Sequence, residues 1–428
     1  MSHPRLHPTL LSLICSICGL VSALGAQASH AQPATATSPA PNVDQPELRY
    51  AWRQSMWHFR TAAERRRYLQ QKVYRRAPLH GVKVDAQGRV YVSMARILDG
   101  RVPASLNRVI RSKGQTLLEP FPSWDANQLG KQGALQNVLG FEIDSRNRMW
   151  VLDMGFAGGT EQLRGDAEQK VVVYDLNTGA EIDRLPIPAS AADPATSFLN
   201  DLAVDEGRGL LYISDTGVRG SNGAASGLLV YDLKARTVRR VLDRAPSTRD
   251  DLRHPLVVNG EAVFPGKPLR AGINGIALTP DGSRLYWSIT TGDALYSIET
   301  RHLNDTALSD SQLQALVQGP TRIGGGSDGL SMDSAGRVYI TNISQAQVQV
   351  FDPVTQAMTV VASGPGFIWP DTLGWDKLGG LWVSTNHLNR VFAGQARFDG
   401  PAPNFRIYRI QTDASKGYGQ TPAAAASR

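Results

Sequence analysis

One hairpin recurs along this chain, and that recurrence constrains the fold more than any other feature. Asn274 to Tyr286 carries it in its clearest form. Ile276 and Leu278 alternate with Ala277 and Thr279, the period of a strand with one buried face. Pro280, Asp281 and Gly282 supply turn chemistry: Pro fixes φ, Asp bonds its own backbone and Gly allows positive φ. A return strand begins at Leu285 and Tyr286. Five further copies align with it, at Gly81–Tyr91, Gly140–Trp150, Asp201–Tyr212, Gly329–Tyr339 and Thr372–Trp382. Each has an alternating strand, an Asp in the turn (85, 144, 205, 281, 333, 376) and an aromatic residue on the second strand.

The spacing between copies exceeds what a hairpin needs, so each unit contains further strands. Val171–Gly179, Gly227–Asp232 and Val348–Pro353 read as third strands. Six units of about four strands each suit radial repetition about an axis, which leaves only short, protected sheet edges. The expectation is an all-β, six-bladed β-propeller over residues 47–413. Leu48 to Trp52 alternates and is placed to close the ring against Phe405–Ile410. Thr61 to Lys72 has helical composition, with Ala62, Ala63, Tyr68 and Leu69 as its apolar face. Leu242 to Ala271 breaks the period and reads as an insertion on one face, over the channel. The recurring aromatics read as core packing between blades.

The ends read differently. Residues 1–31 have the pattern of a secretory signal peptide: Arg5, an apolar run from Leu10 to Leu24, and small residues around Ala26–Ala31. That run is short for a membrane span; an uncleaved signal anchor is the alternative to an exported protein, periplasmic or secreted. Cys15 and Cys18, the chain's two cysteines, both lie inside it, so the mature chain has no thiol chemistry. Residues 32–46 are rich in Ala, Pro, Thr and Ser and read as a disordered linker, and 414–428 as a flexible tail. A formal net charge of +7, with no basic run interleaved with aromatics, gives no support to nucleic-acid binding. The arginines at 65–67 and 75–76 read as a solvated face. Serine-hydrolase and zinc-protease signatures are missing from the sequence.

Side chains that open the innermost strands of a propeller lie at the mouth of its channel. Those positions hold His80, Leu139, Asn200 with Asp201, Asn274, Asp328, and Asp371 with Thr372. Asn carbonyls and Asp carboxylates are the hard oxygen donors that Ca²⁺ takes, so Asn200, Asp201, Asn274 and Asp328 are candidate ligands of a divalent metal. His80, Asp328 and Asp371 are candidate catalytic groups, with His80 suited to general-base work. Asn and Asp before Gly serve equally well as turn and capping residues, and that reading stays open. Asp153, Asp215 and Asn342 close second strands; the first two read as loop caps.

Several stretches, in order, resemble the yellow and major royal jelly protein family: Ala95–Leu106, Leu118–Trp124, Ile143–Gly155, Phe198–Asp205, Tyr212–Asp215 and Gly275–Pro280. Two positions depart from that pattern. Ile97 stands where the family has Trp, and Ser145-Arg146-Asn147 lacks its cysteine. The resemblance implies a six-bladed propeller. It implies no single activity, since dopachrome conversion, amine binding and storage or signalling roles occur among such proteins. More distantly, Asn200-Asp201, Asn274-Gly275 and Asp328-Gly329 resemble the metal-site motifs of the gluconolactonase and senescence-marker propellers, whose fourth ligand, a Glu, aligns near His80. The resemblances imply a small-molecule partner at the channel. The expected function is lactone hydrolysis or dopachrome-like tautomerisation of a small cyclic metabolite; the alternative is non-catalytic binding of an amine or aromatic compound.

Overall fold

The computed structural model describes residues 45–158, 169–219, 225–264 and 266–414. The expected leader and nearly all of the linker and tail lie outside them. Six four-stranded antiparallel sheets form a six-bladed β-propeller, as the repeat predicts. The innermost strands are Val82–Val84, Val138–Ile143, Leu199–Asp205, Ile273–Leu278, Ser327–Met332 and Pro370–Trp375. Sequence order is sheet order in the first five blades. The sixth takes its outermost strand, Glu47–Trp52, from the start of the described chain, with Trp52 opposite Phe405 on Phe405–Gln411. Both ends of the propeller are thereby committed to one sheet, in which Phe405–Gln411 is paired on both sides.

Inner strands are buried along their length, whereas outer strands such as Met358–Ser363 expose part of one face. The six recurring aromatics are all buried. The turn aspartates do more than turn the chain. Asp85 accepts from Arg89 Nε and Tyr91 Oη, Asp144 from Arg148 Nε and Trp150 Nε1, and Asp333 from Arg337 Nε and Tyr339 Oη. Asp376 accepts from Trp382 Nε1 and from Arg409, on the neighbouring strand. Each carboxylate clasps the turn, a guanidinium and the aromatic that follows, which satisfies a charge that burial would otherwise penalise.

One irregularity recurs where it matters for the channel. In the second to sixth blades the innermost strand slips against its partner at the same place: between Val138 and Phe141, Leu199 and Leu202, Ile273 and Ile276, Ser327 and Leu330, and Pro370 and Leu373. Inside each slip lies the dipeptide that opens the strand. A bulge frees N–H groups from the ladder and re-aims a side chain. In the first, third, fifth and sixth blades a hydroxyl two residues after the recurring aromatic meets an N–H at the strand opening. Ser93 Oγ accepts from Gly81 N, Ser214 Oγ from Asp201 N, Thr341 Oγ1 from Gly329 N and Ser384 Oγ from Thr372 N. Three of these hydroxyls also donate to the next blade: Ser93 to Leu139 O at 2.7 Å, Thr341 to Asp371 O at 3.2 Å, and Ser384 to His80 O at 2.6 Å. The last of these bonds joins the sixth blade to the first. Where Gly follows the mouth residue, backbones meet: a Cβ on Gly329 would lie 2.3 Å from Asp371 O.

The short helix Ala62–Gln70 is closed at its start by a Thr61–Glu64 capping box. It buries Tyr68, whose hydroxyl donates to Ser55 O, while Ala62 and Ala63 are exposed rather than forming the expected apolar face. Arg65–Arg67, Arg75 and Arg76 face solvent. The insertion folds into a small hairpin, Val257–Val258 with Glu261–Ala262. Its Leu256, Val258 and Val263 pack on Trp369 and Leu388. No helix among the described residues is long and apolar enough to cross a membrane.

Thr341→Val keeps the shape of its side chain but orphans Gly329 N–H in a buried place. Its expected cost is about 1–3 kcal/mol, read as a lowered melting temperature; an unchanged Tm would show that the hydroxyl does not support the bulge.

Candidate functional site

A cavity of about 410 Å³ sits at the channel mouth. Its wall includes every position singled out at the strand openings: His80, Leu139, Asn200, Asp201, Asn274, Asp328, Asp371 and Thr372. The bulges bring residues from Leu139 to Thr372, distant in sequence, onto one surface. The rest of the wall is largely apolar, with Phe141, Phe198 and Leu330 from the blades and Phe264, Leu269, Leu388 and Phe392 above. Phe264 comes from the insertion, and its ring lies 6.4 Å from that of Phe392. The expected insertion over the channel is therefore a partial roof.

Asn200, Asn274, Asp328 and Asp371 on the wall are each held by a neighbour. Asn200 Nδ2 donates to Thr216 Oγ1 at 2.9 Å, and Asn274 Nδ2 to Thr290 Oγ1 at 2.7 Å. Asp371 Oδ2 accepts from Asn386 Nδ2 at 2.6 Å, and its Oδ1 from Thr372 Oγ1 at 2.8 Å. Thr216, Thr290 and Asn386 each lie four residues after the recurring aromatic of their blade. That register puts them beside the mouth residue of the same sheet. Asp328 is held otherwise: Oδ1 accepts from Asn274 Nδ2 at 2.5 Å and Oδ2 from Trp369 Nε1 at 2.6 Å. Trp369 is buried and adopts φ 50°, a left-handed backbone that costs a bulky residue energy. That strained backbone carries the indole whose N–H meets the carboxylate.

His80 is buried, with Nδ1 3.4 Å from Asp371 Oδ2. Its Nε2 has no hydrogen-bond partner among the described residues. An unmet buried polar atom costs about 1–3 kcal/mol, so its place on a cavity wall calls for a ligand or water to meet it. Burial is the main cause holding the Asp328 carboxyl well above its ordinary pKa. Repulsion from Asp371 adds to this, the Trp369 and Asn274 hydrogen bonds oppose it, and Asp201 contributes a smaller upward push. Burial likewise pushes Asp201 up to about 6 against the attraction of Lys83. Lys83 and Glu142 form an ion pair of 2.7 Å with both side chains largely buried. Among the described residues no Lys or Arg lines the cavity itself.

The expected metal set fits poorly. Both oxygens of Asp328 receive N–H hydrogens, and both oxygens of Asp201 accept backbone N–H groups, from Leu202 and Ile276. Among the described residues no group of three or more His, Cys, Asp or Glu side chains gathers as a metal centre would. The position expected for a ligand Glu holds His80, turned towards Asp371. A divalent cation would have to share these carboxylate oxygens with the N–H donors already on them.

The remaining candidates lie elsewhere. Asp153 accepts from the backbones of Gln136, Asn137 and Gly155 and pairs with buried Lys170. Asp215 accepts from Phe198 N and Gly217 N, and Asn342 from Gln345 N. They organise loops, as read for the first two. Trp369, Thr216, Thr290 and Asn386 escaped the sequence reading. A polar residue at the fourth place after the aromatic was the available signal for three of them; Trp369 had none, since it belongs to a loop.

A carboxyl with a raised folded pKa favours folding while protonated. For Asp201 that contribution is complete below pH 4 and is lost as pH climbs through about 6. Carboxyl-carbon NMR titration should place its midpoint near 6, with Asp328 above the normal range; midpoints near 4 for both would contradict this electrostatic picture.

Comparison with known proteins adds the family. The chain is 26% identical over 262 residues to major royal jelly protein 3 of Apis mellifera, covering 59% of this chain and 44% of that one. It is 25% identical over 391 residues to protein yellow of Drosophila guanche, covering 84% and 64%. It thus spans less than two thirds of either relative's length. Among solved structures, a gluconolactonase from Xanthomonas campestris aligns at 14% identity and TM-score 0.47, over 88% of this chain and 99% of that one. A calcium-binding regucalcin from Agrobacterium tumefaciens aligns at 14% identity and TM-score 0.44, over 78% and 90%. The sequence model of the major royal jelly protein family matches residues 136–418, well over half of the chain, and the chain belongs to that family.

Proposed function

We infer that the central cavity takes a small cyclic or aromatic metabolite and isomerises it by proton transfer, a tautomerase-type reaction of the dopachrome-converting kind. The observation that carries this is the His80–Asp371 pair on the cavity lining: one imidazole nitrogen lies near a carboxylate, and the other is buried without a hydrogen-bond partner among the described residues. A base oriented by a neighbouring carboxylate, with its second nitrogen unpaired, suits general-base chemistry once substrate entry exposes that nitrogen. His80 Nε2 removes a proton from carbon or hydroxyl next to a carbonyl. The Asp328 carboxyl, kept protonated by its surroundings, supplies one to the oxygen where charge develops. The substrate loses one proton and gains one, so no oxidant or reductant is needed. Asp371 orients the imidazole and stabilises its charged form, while Phe198, Phe264 and Phe392 exclude water from the reacting atoms.

Lactone hydrolysis is less well supported, because the oxygen donors that would hold a polarising cation are engaged with N–H groups. Non-catalytic binding of a cationic amine has one observation in its favour: Asp201, Asp328 and Asp371 share the wall, with no Lys or Arg beside them among the described residues. Export is part of this proposal and rests on the composition of residues 1–31.

Aminochromes and enolisable cyclic ketones are the substrates to screen. With the best of them, His80→Gln should lower kcat at least a hundredfold, the range general-base removal covers, while changing ligand Kd less than threefold. Saturable binding of dopamine with no turnover of any compound would instead support the carrier reading and overturn the enzymatic one.

A further inference from the structure

Four blades share the aromatic clasp, and of the two that depart from it the fourth leaves its aromatic hydroxyl unbonded among the described residues. In five blades the polar atom of the recurring aromatic is bonded, to the turn Asp in four and to Asn304 in the case of Tyr212. In the fourth blade the Asp281 carboxylate turns to the N–H and hydroxyl of Ser283. Arg284 swings outward to Gln318 Oε1 at 2.8 Å, Ser297 Oγ at 3.3 Å and Glu299 Oε1 at 3.3 Å. The Tyr286 hydroxyl is left with no hydrogen-bond partner among the described residues. Where the clasp is missing, a pocket of about 370 Å³ opens on the flank of the propeller, between the fourth and fifth blades. It is separate from the central cavity and shares no residue with it.

The chemistry of its wall selects a class of ligand. Tyr286, Ser297 and Thr321 offer hydroxyls, and Gln318 and Gln356 offer carboxamides, all groups that both donate and accept. The Arg284 charge is already met by Glu299, so the wall has no free cation to recruit an anion. Tyr296 adds a ring face, half-buried and stacked at 26° on Trp287. Paired donors and acceptors beside an aromatic face match a ring with hydroxyls at its edge and C–H groups on its face. We propose that this flank pocket is a second ligand site, which binds a neutral saccharide of one or two pyranose rings, with Tyr296 as the stacking face and Tyr286, Gln318 and Gln356 reading the hydroxyls.

The volume falls in the range of small-molecule sites, and solvent-facing Gln318 and Gln356 leave room for a longer glycan to extend outward. The test uses the intact protein, with methyl α-glucoside, methyl β-galactoside, maltose and cellobiose as probes, by saturation-transfer NMR and calorimetry. At least one probe should bind saturably. Its Kd should rise at least tenfold in Tyr296→Ala and in Gln318→Ala, and stay within twofold in His80→Gln. Because Gln318 is exposed, its variant removes the contact without threatening the fold. The proposal is overturned if no probe binds saturably, if binding survives both flank substitutions, or if it is lost in His80→Gln, which would move the sugar to the central cavity.

Discussion

The bulge that opens each innermost strand is the feature on which the channel depends. A regular ladder would point successive side chains to alternate faces of the blade. One extra residue breaks that alternation and turns a side chain towards the axis, at the cost of N–H groups that lose their ladder partners. Ser93, Ser214, Thr341 and Ser384 supply the missing acceptors, and three of them reach on to the neighbouring blade. The same atoms thus maintain the irregularity and fasten the ring around it. Glycine beside the mouth residue serves the same geometry, since side chains there would drive neighbouring backbones apart.

Much of this was legible in the sequence because it repeats. Six Asp-led turns and six following aromatics set the blade count, and Leu48–Trp52 against Phe405–Ile410 was readable as the closure because both alternate. The strand openings were found by the same alignment, and they converge because radial symmetry sends equivalent positions to one axis. What escaped was whatever repetition does not encode. Trp369 reaches Asp328 from a loop outside the repeat, on a left-handed backbone that no local pattern announces. The hydroxyls two places after the aromatic do repeat, but Ser and Thr are common in exposed strands, and their role shows only once the bulge is seen. Blade four illustrates the reverse: Asp281 and Tyr286 match the repeat in sequence, yet Arg284 leaves the clasp for Gln318 and Glu299.

The oxygen-rich channel mouth invites a metal reading, and the hydrogen bonds point to another use. Asp328 is buried within reach of the charges of Asp371 and Asp201, and these outweigh the two N–H groups that favour its ionised form. Such a carboxyl is kept neutral and able to give a proton. His80, held beside Asp371 with its second nitrogen unmet, is able to take one. Opposite protonation tasks on two groups of one wall are what proton-transfer catalysis requires. Family membership supplies the propeller that gathers these groups, but the proposed chemistry rests on His80, Asp328 and Asp371 themselves.

Metal analysis of the purified protein, paired with calorimetry during Ca²⁺ addition and chelation, bears most directly on this account. Carboxylates committed to N–H donors and to proton transfer predict no stoichiometric divalent ion and a melting temperature indifferent to Ca²⁺ and chelator. A bound ion at one per chain, whose removal lowers the melting temperature and which is lost in Asp328→Ala, would contradict it.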